Sequence, residues 1–190
     1  GLLMINSVRN TVLSILNKNN YGYISPADFN LFALQAQLTI FEGYFTGYNN
    51  ALNKENARRS GTEYANESKS ISESIDIFSV TKSLPIVTAG TNVYNLPSVA
   101  ATGDDFYLLN KVLCFTDATP AVFTGEAESV SHSKITMLNN SMIMAPTVSF
   151  PAYTIEANLL TVFPDTINTA GAVEAQYIRY PFAPNWTYSV

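Results

Sequence analysis

The sequence predicts an α+β protein: a long-helix hairpin or bundle, followed by a small antiparallel β-sandwich or sheet domain with one helix. Two patterns predict this class. Before residue 84, apolar residues recur every three or four positions, as on one face of a helix. After residue 84, short β-branched and aromatic runs are separated by Pro, Gly and Asn, as in strands joined by turns. The change predicts a helical domain over residues 1–83 and a β-rich domain over residues 84–190.

The second helix is the clearest single element in the sequence. Ser25 is the expected N-cap, Pro26 suits the first helical position, and Asp28 completes a capping box. From there the helix is predicted to run to near Arg59, roughly 50 Å at ~1.5 Å per residue. Apolar residues spaced alternately three and four apart form a stripe along it, here called the seam: Leu31, Leu34, Leu38, Phe41, Phe45, Tyr48 and Leu52.

The seam predicts packing against more than one partner. The first helix, from about Ile5 to Leu16, is only ~22 Å long. We therefore expect it to cover the start of the seam and to leave the Phe45-to-Leu52 end for a neighbouring subunit. Gly43 and Gly47, four apart, would admit another backbone at close range. A second apolar flank predicts that the helix is covered from both sides near its start; it consists of Phe29, Phe32, Ala36 and Ile40.

The rest of the chain is predicted to be a connecting segment and a sheet. Residues 64–82 are Ser-rich with weakly apolar residues at helical spacing, and they predict either a third, exposed helix or a mobile arm. Residues 126–138 predict one helix packed on the sheet, and Ala157-Asn158 predicts a tight hairpin. The predicted strands are Asn92 to Leu96, Tyr107 to Phe115, Ala152 to Glu156, Leu159 to Phe163 and Ala172 to Tyr180.

The composition favours a protein with extensive interfaces. Charged residues make up 13% of the chain, about half the usual share, and nineteen Asn residues supply much of the polarity. Because buried charges must be paired, such a surface suits large, lasting protein contacts. The net charge of −5 arises in residues 85–190, which hold three Lys or Arg and eight Asp or Glu. This distribution argues against specific nucleic-acid binding, which needs clustered basic residues, and no apolar run reaches the ~20 residues of a membrane span.

Few residues are suited to catalysis or metal binding. Cys114 is the single cysteine, and its apolar neighbours predict a position in the core. His132 is the single histidine, so a two-histidine metal site and most general-base schemes are excluded. Asp104-Asp105 is expected in an exposed loop, and the carboxylates of Glu126 and Glu128 lack the spacing of a calcium loop. We therefore predict no catalytic residue, no metal ligand and no cofactor.

The C-terminal segment carries aromatic residues separated by prolines. Tyr180, Phe182 and Trp186 alternate with Pro181 and Pro184. Because proline loses little conformational entropy on docking, the segment is suited to anchor against a neighbouring subunit. The alternative is that it covers the protein's own β core. The predicted subunit-interface residues are Phe41, Phe45, Tyr48, Leu52, Tyr180, Phe182 and Trp186.

Several segments resemble one family of structural proteins. In the helical half these are Ile5 to Arg9, Asn19 to Asn30 and Phe41 to Phe45. In the β half they are Tyr94 to Pro97, Asp105 to Tyr107, Phe150 to Tyr153, Tyr177 to Pro181 and Pro184 to Trp186. Through these segments nearly the whole chain resembles the ring, or head-to-tail connector, proteins in the neck or tail hub of tailed bacteriophages, in particular those of crAss-like phages.

The resemblance implies a non-enzymatic virion subunit. It would form a ring of about twelve copies in the portal-proximal neck or tail, bind the portal protein and adjacent tail or ring proteins, and assemble in the cytoplasm of the bacterial host. DNA would pass through the ring without specific binding, repelled by the acidic β half. An alternative of a different class is a tail-associated module for a host-surface glycan or receptor, with Trp186 and the Tyr-rich β half as stacking platforms. A cell-wall hydrolase is the weakest hypothesis, because no pair of acidic residues has a suitable spacing.

Overall fold

The chain folds into two compact units. The computed structural model describes residues 2–17, 24–57, 65–116 and 121–187. One unit, here the helical unit, combines Gly1–Ile75 with Pro181–Val190, and the other, the β unit, is Asp76–Tyr180. The α+β class is therefore confirmed, with helices first and strands after them. The predicted division after residue 83 differs from this one at both ends, because residues 76–83 belong with the strands and the C-terminal segment belongs with the helices.

Three helices form the N-terminal part of the chain: α1 (Leu2–Asn17), α2 (Pro26–Ala57) and α3 (Ala65–Asp76). The start of α2 is as predicted. The Asp28 N–H donates to the Ser25 hydroxyl oxygen at 3.1 Å, and that hydroxyl donates to an Asp28 carboxylate oxygen at 2.6 Å, which also places negative charge at the positive end of the helix dipole. α3 confirms the third-helix alternative. The predicted end of α2 near Arg59 lies outside the described residues.

The described part of the β unit contains seven strands and two short helices. The strands are β1 (Ser79–Ser83), β2 (Val93–Asn95), β3 (Phe106–Phe115), β4 (Phe123–Ser129), β5 (Ala152–Glu156), β6 (Leu159–Phe163) and β7 (Val173–Arg179). The helices are α4 (Val99–Thr102) and α5 (His132–Asn139). All five predicted strands and the hairpin at Ala157-Asn158 are confirmed, whereas β1, β4 and α4 are additional. The single helix predicted over residues 126–138 is wrong in its first part, where β4 pairs with β3 and β5.

The strands form one curled sheet in the order β1-β7-β3-β4-β5-β6-β2. Neighbouring strands are antiparallel except β4 and β5, which are parallel. The two edges approach each other, because the chain after β1 forms a bridge between Ile86 and Tyr94 of β2, and the Asn95 N–H donates to the Pro85 carbonyl oxygen at 2.9 Å. The sheet is thus mixed, not purely antiparallel as predicted. A two-sheet sandwich is not confirmed, and neither is a hairpin of long helices.

The core of the β unit lies inside this curl, and every strand contributes an apolar side chain to it. Tyr94 and Tyr177 are the largest of its fully buried members. The Tyr94 hydroxyl lies 3.0 Å from the Thr169 carbonyl oxygen, to which it donates, so its polar end is satisfied. Cys114 belongs to this core, as predicted, and burial raises the pKa of its thiol to about 11. A smaller cluster joins Ile135 of α5 to the sheet.

Candidate assembly surfaces

Most of the seam of α2 is covered or half-covered by the chain itself, but Leu31 at its start, which was predicted to be covered, is 59% exposed. Phe41 is 1% exposed, and its ring packs edge-to-face on that of Phe45 with centroids 5.1 Å apart. Tyr48 and Leu52, further along the helix, are half-buried. Phe41 therefore offers almost no surface to a neighbouring subunit. The predicted contacts of Phe45, Tyr48 and Leu52 stay predictions, because a single chain shows no assembly.

A second apolar row on α2, on a different face, is open. Phe32 and Ile40 are 64% and 60% exposed, and Ala36 and Tyr44 are also exposed. Gly43 lies beside them, and a Cβ atom added there would meet no atom within 4 Å. We call these five residues the open row; it is ~18 Å long at 1.5 Å per residue. The described chain does not supply the cover on both sides that was predicted for this stretch.

Both ends of the open row lead into covered parts of the same helix. Before it, Phe29 is buried and its ring packs edge-to-face on Trp186, with centroids 6.0 Å apart. After it, a Cβ atom at Gly47 would lie 3.7 Å from the Ile71 Cδ1 atom of α3, and Ala51 is buried. The neighbour at Gly47 is therefore a side chain at ordinary contact distance, not the backbone that was predicted to approach there. The open row is the uncovered middle of an otherwise packed face.

Trp186 anchors the C-terminal segment to the helical unit. The Arg9 guanidinium of α1 lies 4.3 Å from the centroid of its ring, a cation–π contact. On α2, the Asn30 side chain accepts a hydrogen bond from the backbone N–H of Trp186 at 2.8 Å and donates one to the backbone carbonyl oxygen of Trp186 at 3.2 Å. Neither of the two alternatives from the sequence names this placement on the chain's own helices. With its ring buried, Trp186 is a poor candidate for glycan stacking.

Tyr180 and Phe182, the other two predicted interface aromatics of the segment, are both exposed. Tyr180 also packs edge-to-face on Tyr107, with ring centroids 5.3 Å apart, and its N–H donates to the Asp105 carbonyl oxygen at 2.9 Å. It forms one wall of an open cavity of about 430 Å³ in the β unit. The cavity is lined by Asn95, Leu96, Pro97, Ser98, Asp105, Phe106, Asn158 and Tyr180. Amide and carboxylate groups beside aromatic rings are suited to bind a polar ligand such as a sugar.

An ion pair between the buried Asp104 and the half-buried Lys82 lies near the end of α4. The Lys82 ammonium is 2.6 Å from the Asp104 carboxylate, and the Tyr177 hydroxyl donates to the same carboxylate oxygen at 3.3 Å. The hydrogen bond from Lys82 lowers the pKa of Asp104 below its ordinary value, although burial opposes this. Burial raises the pKa of Tyr177. The expected exposed loop is therefore wrong for Asp104, whose contacts connect the turn after α4 with β1 and β7.

The remaining titratable residues singled out in the sequence lie at the surface. His132 and Glu156 form an exposed pair with 3.6 Å between Nε2 and a carboxylate oxygen, and Glu126 lies 3.6 Å from Lys111 in the same way. Among the described residues, no group of three or more His, Cys, Asp or Glu is arranged to hold a metal ion. No described helix combines the length and apolarity that crossing a membrane requires.

One exposed apolar segment was not singled out by the sequence analysis. It is the connection between α5 and β5, in which Met142, Ile143 and Phe150 are the three most exposed large apolar residues described in the chain. This segment and the open row each bring several exposed large apolar side chains of the described residues together in the chain. Comparison with known proteins finds no matching family model and no similar curated protein.

Proposed function

We propose that this protein is a structural virion subunit that forms a ring in the portal-proximal neck or tail of a tailed bacteriophage. About twelve copies would surround the DNA channel, bind the portal protein on one side and bind adjacent tail or ring proteins on the other. The proposal begins from the family resemblance of the sequence. The observation that carries it further is the open row, a stretch of α2 with Phe32 and Ile40 more than half exposed.

The open row supports an assembly role because its exposure is specific to one part of the helix. The flanking residues Phe29 and Ala51 are buried by the chain itself, so the fold can cover this face and leaves only its middle uncovered. Exposed apolar side chains that adjoin one another mark contacts with other molecules. Gly43 adds to this, because a glycine on an open helix face lets a partner's backbone approach closely.

Two further features fit the proposal. The acidic balance of residues 85–190 suits the wall of a channel through which DNA passes, because it repels phosphate. The helices are proposed to form the hairpin that the sequence predicts, since Trp186 contacts both Arg9 of α1 and Phe29 of α2 and so holds the two helices near each other. The curled sheet takes the place of the predicted sandwich as the compact body of the subunit.

The test is the oligomeric state of the purified protein, by mass photometry and by class averages of negatively stained particles. We expect closed rings. Substituting Phe32→Asn together with Ile40→Asn should convert the rings to folded monomers, because both side chains are more than half exposed in the single subunit. The matched pair Phe45→Asn with Tyr48→Asn tests the prediction that the Phe45-to-Leu52 end of the seam contacts a neighbouring subunit. A wild-type protein that stays monomeric at every concentration, alone and with its portal partner, would falsify the ring.

The cavity beside Tyr180 favours one alternative, a tail-associated module for a host-surface glycan. Its Asn95 and Asn158 amides and the Tyr180 ring are the groups that sugar hydroxyls and sugar faces bind. A monomeric protein that binds a glycan on an array, and loses the binding on Asn158→Ala, would favour this alternative over the ring.

A further inference from the structure

The connection between α5 and β5 is apolar, exposed and free of charge. Met142 is fully exposed, and Ile143 and Phe150 are 94% and 80% exposed. The stretch from Asn139 to Phe150 contains no charged residue. We call residues 141–150 the apolar loop. Exposing this many large apolar side chains in one segment is unusual for a surface that faces only water.

Hydrogen bonds hold the apolar loop in a defined conformation. The Ser141 hydroxyl oxygen accepts from the N–H groups of Ile143 and Met144, at 3.4 and 3.2 Å. Further on, Thr147 and Phe150 exchange backbone hydrogen bonds of 3.2 and 3.0 Å. The exposed side chains are therefore presented from an ordered backbone, which lowers the entropy lost when a partner binds.

The base of the loop is fitted to β4. A Cβ atom at Gly125 would lie 2.7 Å from the Ser149 carbonyl oxygen, which is closer than real contacts allow. Only glycine at this position lets the loop backbone approach the strand so closely. The position of the loop is thus set by the sheet and not by its own residues alone.

We propose that the apolar loop of one subunit docks on the open row of α2 in the next subunit of the ring. This inference rests on the proposed function and names the contact that would build it. A ring needs two different surfaces on each subunit, related head to tail. This chain carries one uncovered apolar surface on its β unit and another on its helical unit, which are the two halves that such a contact requires.

The charges of the two surfaces favour this pairing. No charged residue lies between Asp28 and Glu42 on α2, where Phe32, Ala36 and Ile40 of the open row are found, and none lies in the apolar loop. Docking one on the other therefore removes no unpaired charge from water, which would cost several kcal/mol. The open space at Gly43 gives room for a bulky side chain or a loop backbone.

The size of the apolar loop also fits a stable contact. Phe150 can bury roughly 150–250 Å², and the exposed Met142 and Ile143 enlarge this area, so the loop supplies a substantial part of the ~800 Å² that each partner buries in a standard interface. The neighbouring Met137 and Met144 are exposed too. A small ligand would cover only part of this surface, so a second copy of the chain is the occupant that we infer.

Disulfide cross-linking within the full-length protein tests the contact. Cys114 is fully buried and does not compete with introduced thiols. A chain with both Ile40→Cys and Ile143→Cys should give a ladder of covalent multimers under mild oxidation, about tenfold more abundant than with either single substitution. The matched control pairs Ile40→Cys with Ile77→Cys, because Ile77 is exposed to a similar degree but lies outside both surfaces.

The outcomes separate this inference from the proposed function. A ladder in the double variant supports the contact. Rings on stained grids without a ladder would overturn the contact and leave the ring standing, and dimers of Ile143→Cys alone would mean that the loop pairs with itself. No rings and no ladder would overturn both. As a second measurement, Ile143→Ser with Phe150→Ser should weaken assembly about tenfold or more while the subunit stays folded, whereas intact rings would mean that the loop binds something else.

Discussion

The β unit and the helical unit cover their apolar residues in different ways. The β unit is one continuous stretch of chain, and its sheet curls until its edges meet at Ile86 and Tyr94, so that its core is enclosed by its own strands. The helical unit is discontinuous: it takes in the C-terminal segment through Trp186 and still leaves the open row exposed. The difference indicates that the β unit stabilises itself, whereas the helical unit is completed by distant residues and, in our proposal, by another subunit.

The largest expected effect is that of Trp186→Ala, which should destabilise the helical unit and leave the β unit unchanged. Removing a buried aromatic side chain costs about 3–5 kcal/mol, and here it also removes the contact with Arg9. We expect faster hydrogen exchange of the α1 and α2 backbone amides, with the amides of the β unit unchanged.

The control for this substitution is Phe182→Ala in the same segment. Phe182 is 61% exposed, so its loss should cost less stability than the loss of the buried Trp186 ring. Equal protection of the α1 and α2 amides from hydrogen exchange in the Trp186→Ala variant and in wild type would show that the helical unit does not depend on the C-terminal segment.

The role of Trp186 also shows where the sequence was informative and where it was not. The start of α2 at Ser25 and the five strands were predictable, because capping groups and apolar runs bounded by turn residues act locally. The covered and open faces of α2 were not. Both faces are apolar, and the cover at the two ends of the face with the open row comes from Ile71 and Trp186, which are far away in the sequence.

The misassigned segments have a similar cause. In β4, Glu126, Ala127 and Glu128 favour a helix by intrinsic propensity, but pairing with strands on both sides overrides this preference. The apolar loop was missed because Met142, Ile143 and Met144 show neither helical nor alternating spacing, and exposure cannot be read from composition. The buried state of Asp104 depends on Lys82, a partner more than twenty residues away.

Alkaline pH should destabilise the β unit more than the helical unit, because three groups with raised pKa lie in the enclosed core: Tyr94, Cys114 and Tyr177. Burial, with a smaller effect of the Cys114 charge, raises the pKa of Tyr94 from 10.0 to about 12. A group whose pKa is higher in the folded state stabilises the fold below its unfolded pKa, and this contribution is lost as pH rises through the folded pKa. At 1.36 kcal/mol per pKa unit, ionisation of Tyr94 should lower the stability of the β unit by about 2 kcal/mol by pH 12.

Urea unfolding at increasing pH measures this loss. Because the unfolded pKa of Cys114 is 9.0, stability should begin to fall near that pH and fall further above 10.0, where Tyr94 contributes. Tyr94→Phe should reduce the decrease above pH 10. Trp186 is the only tryptophan, so its fluorescence reports on the unfolding of the helical unit. We expect the urea midpoint measured in this way to change less with pH. Equal alkaline loss in wild type and Tyr94→Phe would contradict the assignment to this residue.

The smallest expected changes in stability come from adding one methyl group to each unit, and the two changes should have opposite signs. Gly125→Ala brings a Cβ atom to 2.7 Å from the Ser149 carbonyl oxygen, so the apolar loop must shift, at a cost of about 1–3 kcal/mol for overpacking. Gly43→Ala meets open space and replaces a helix-interior glycine, which should stabilise α2 by about 0.5–1 kcal/mol.

Thermal unfolding of the two glycine variants measures these changes in stability, and mass photometry measures how well each variant assembles. Both variants should assemble less well, for different reasons: Gly125→Ala displaces the loop, and Gly43→Ala narrows the space at the open row. A stabilised Gly43→Ala that assembles as well as wild type would mean that no partner approaches this face closely. Loss of assembly in both variants, with opposite changes in stability, would support a contact between the apolar loop on the β unit of one subunit and the open row on the helical unit of the next.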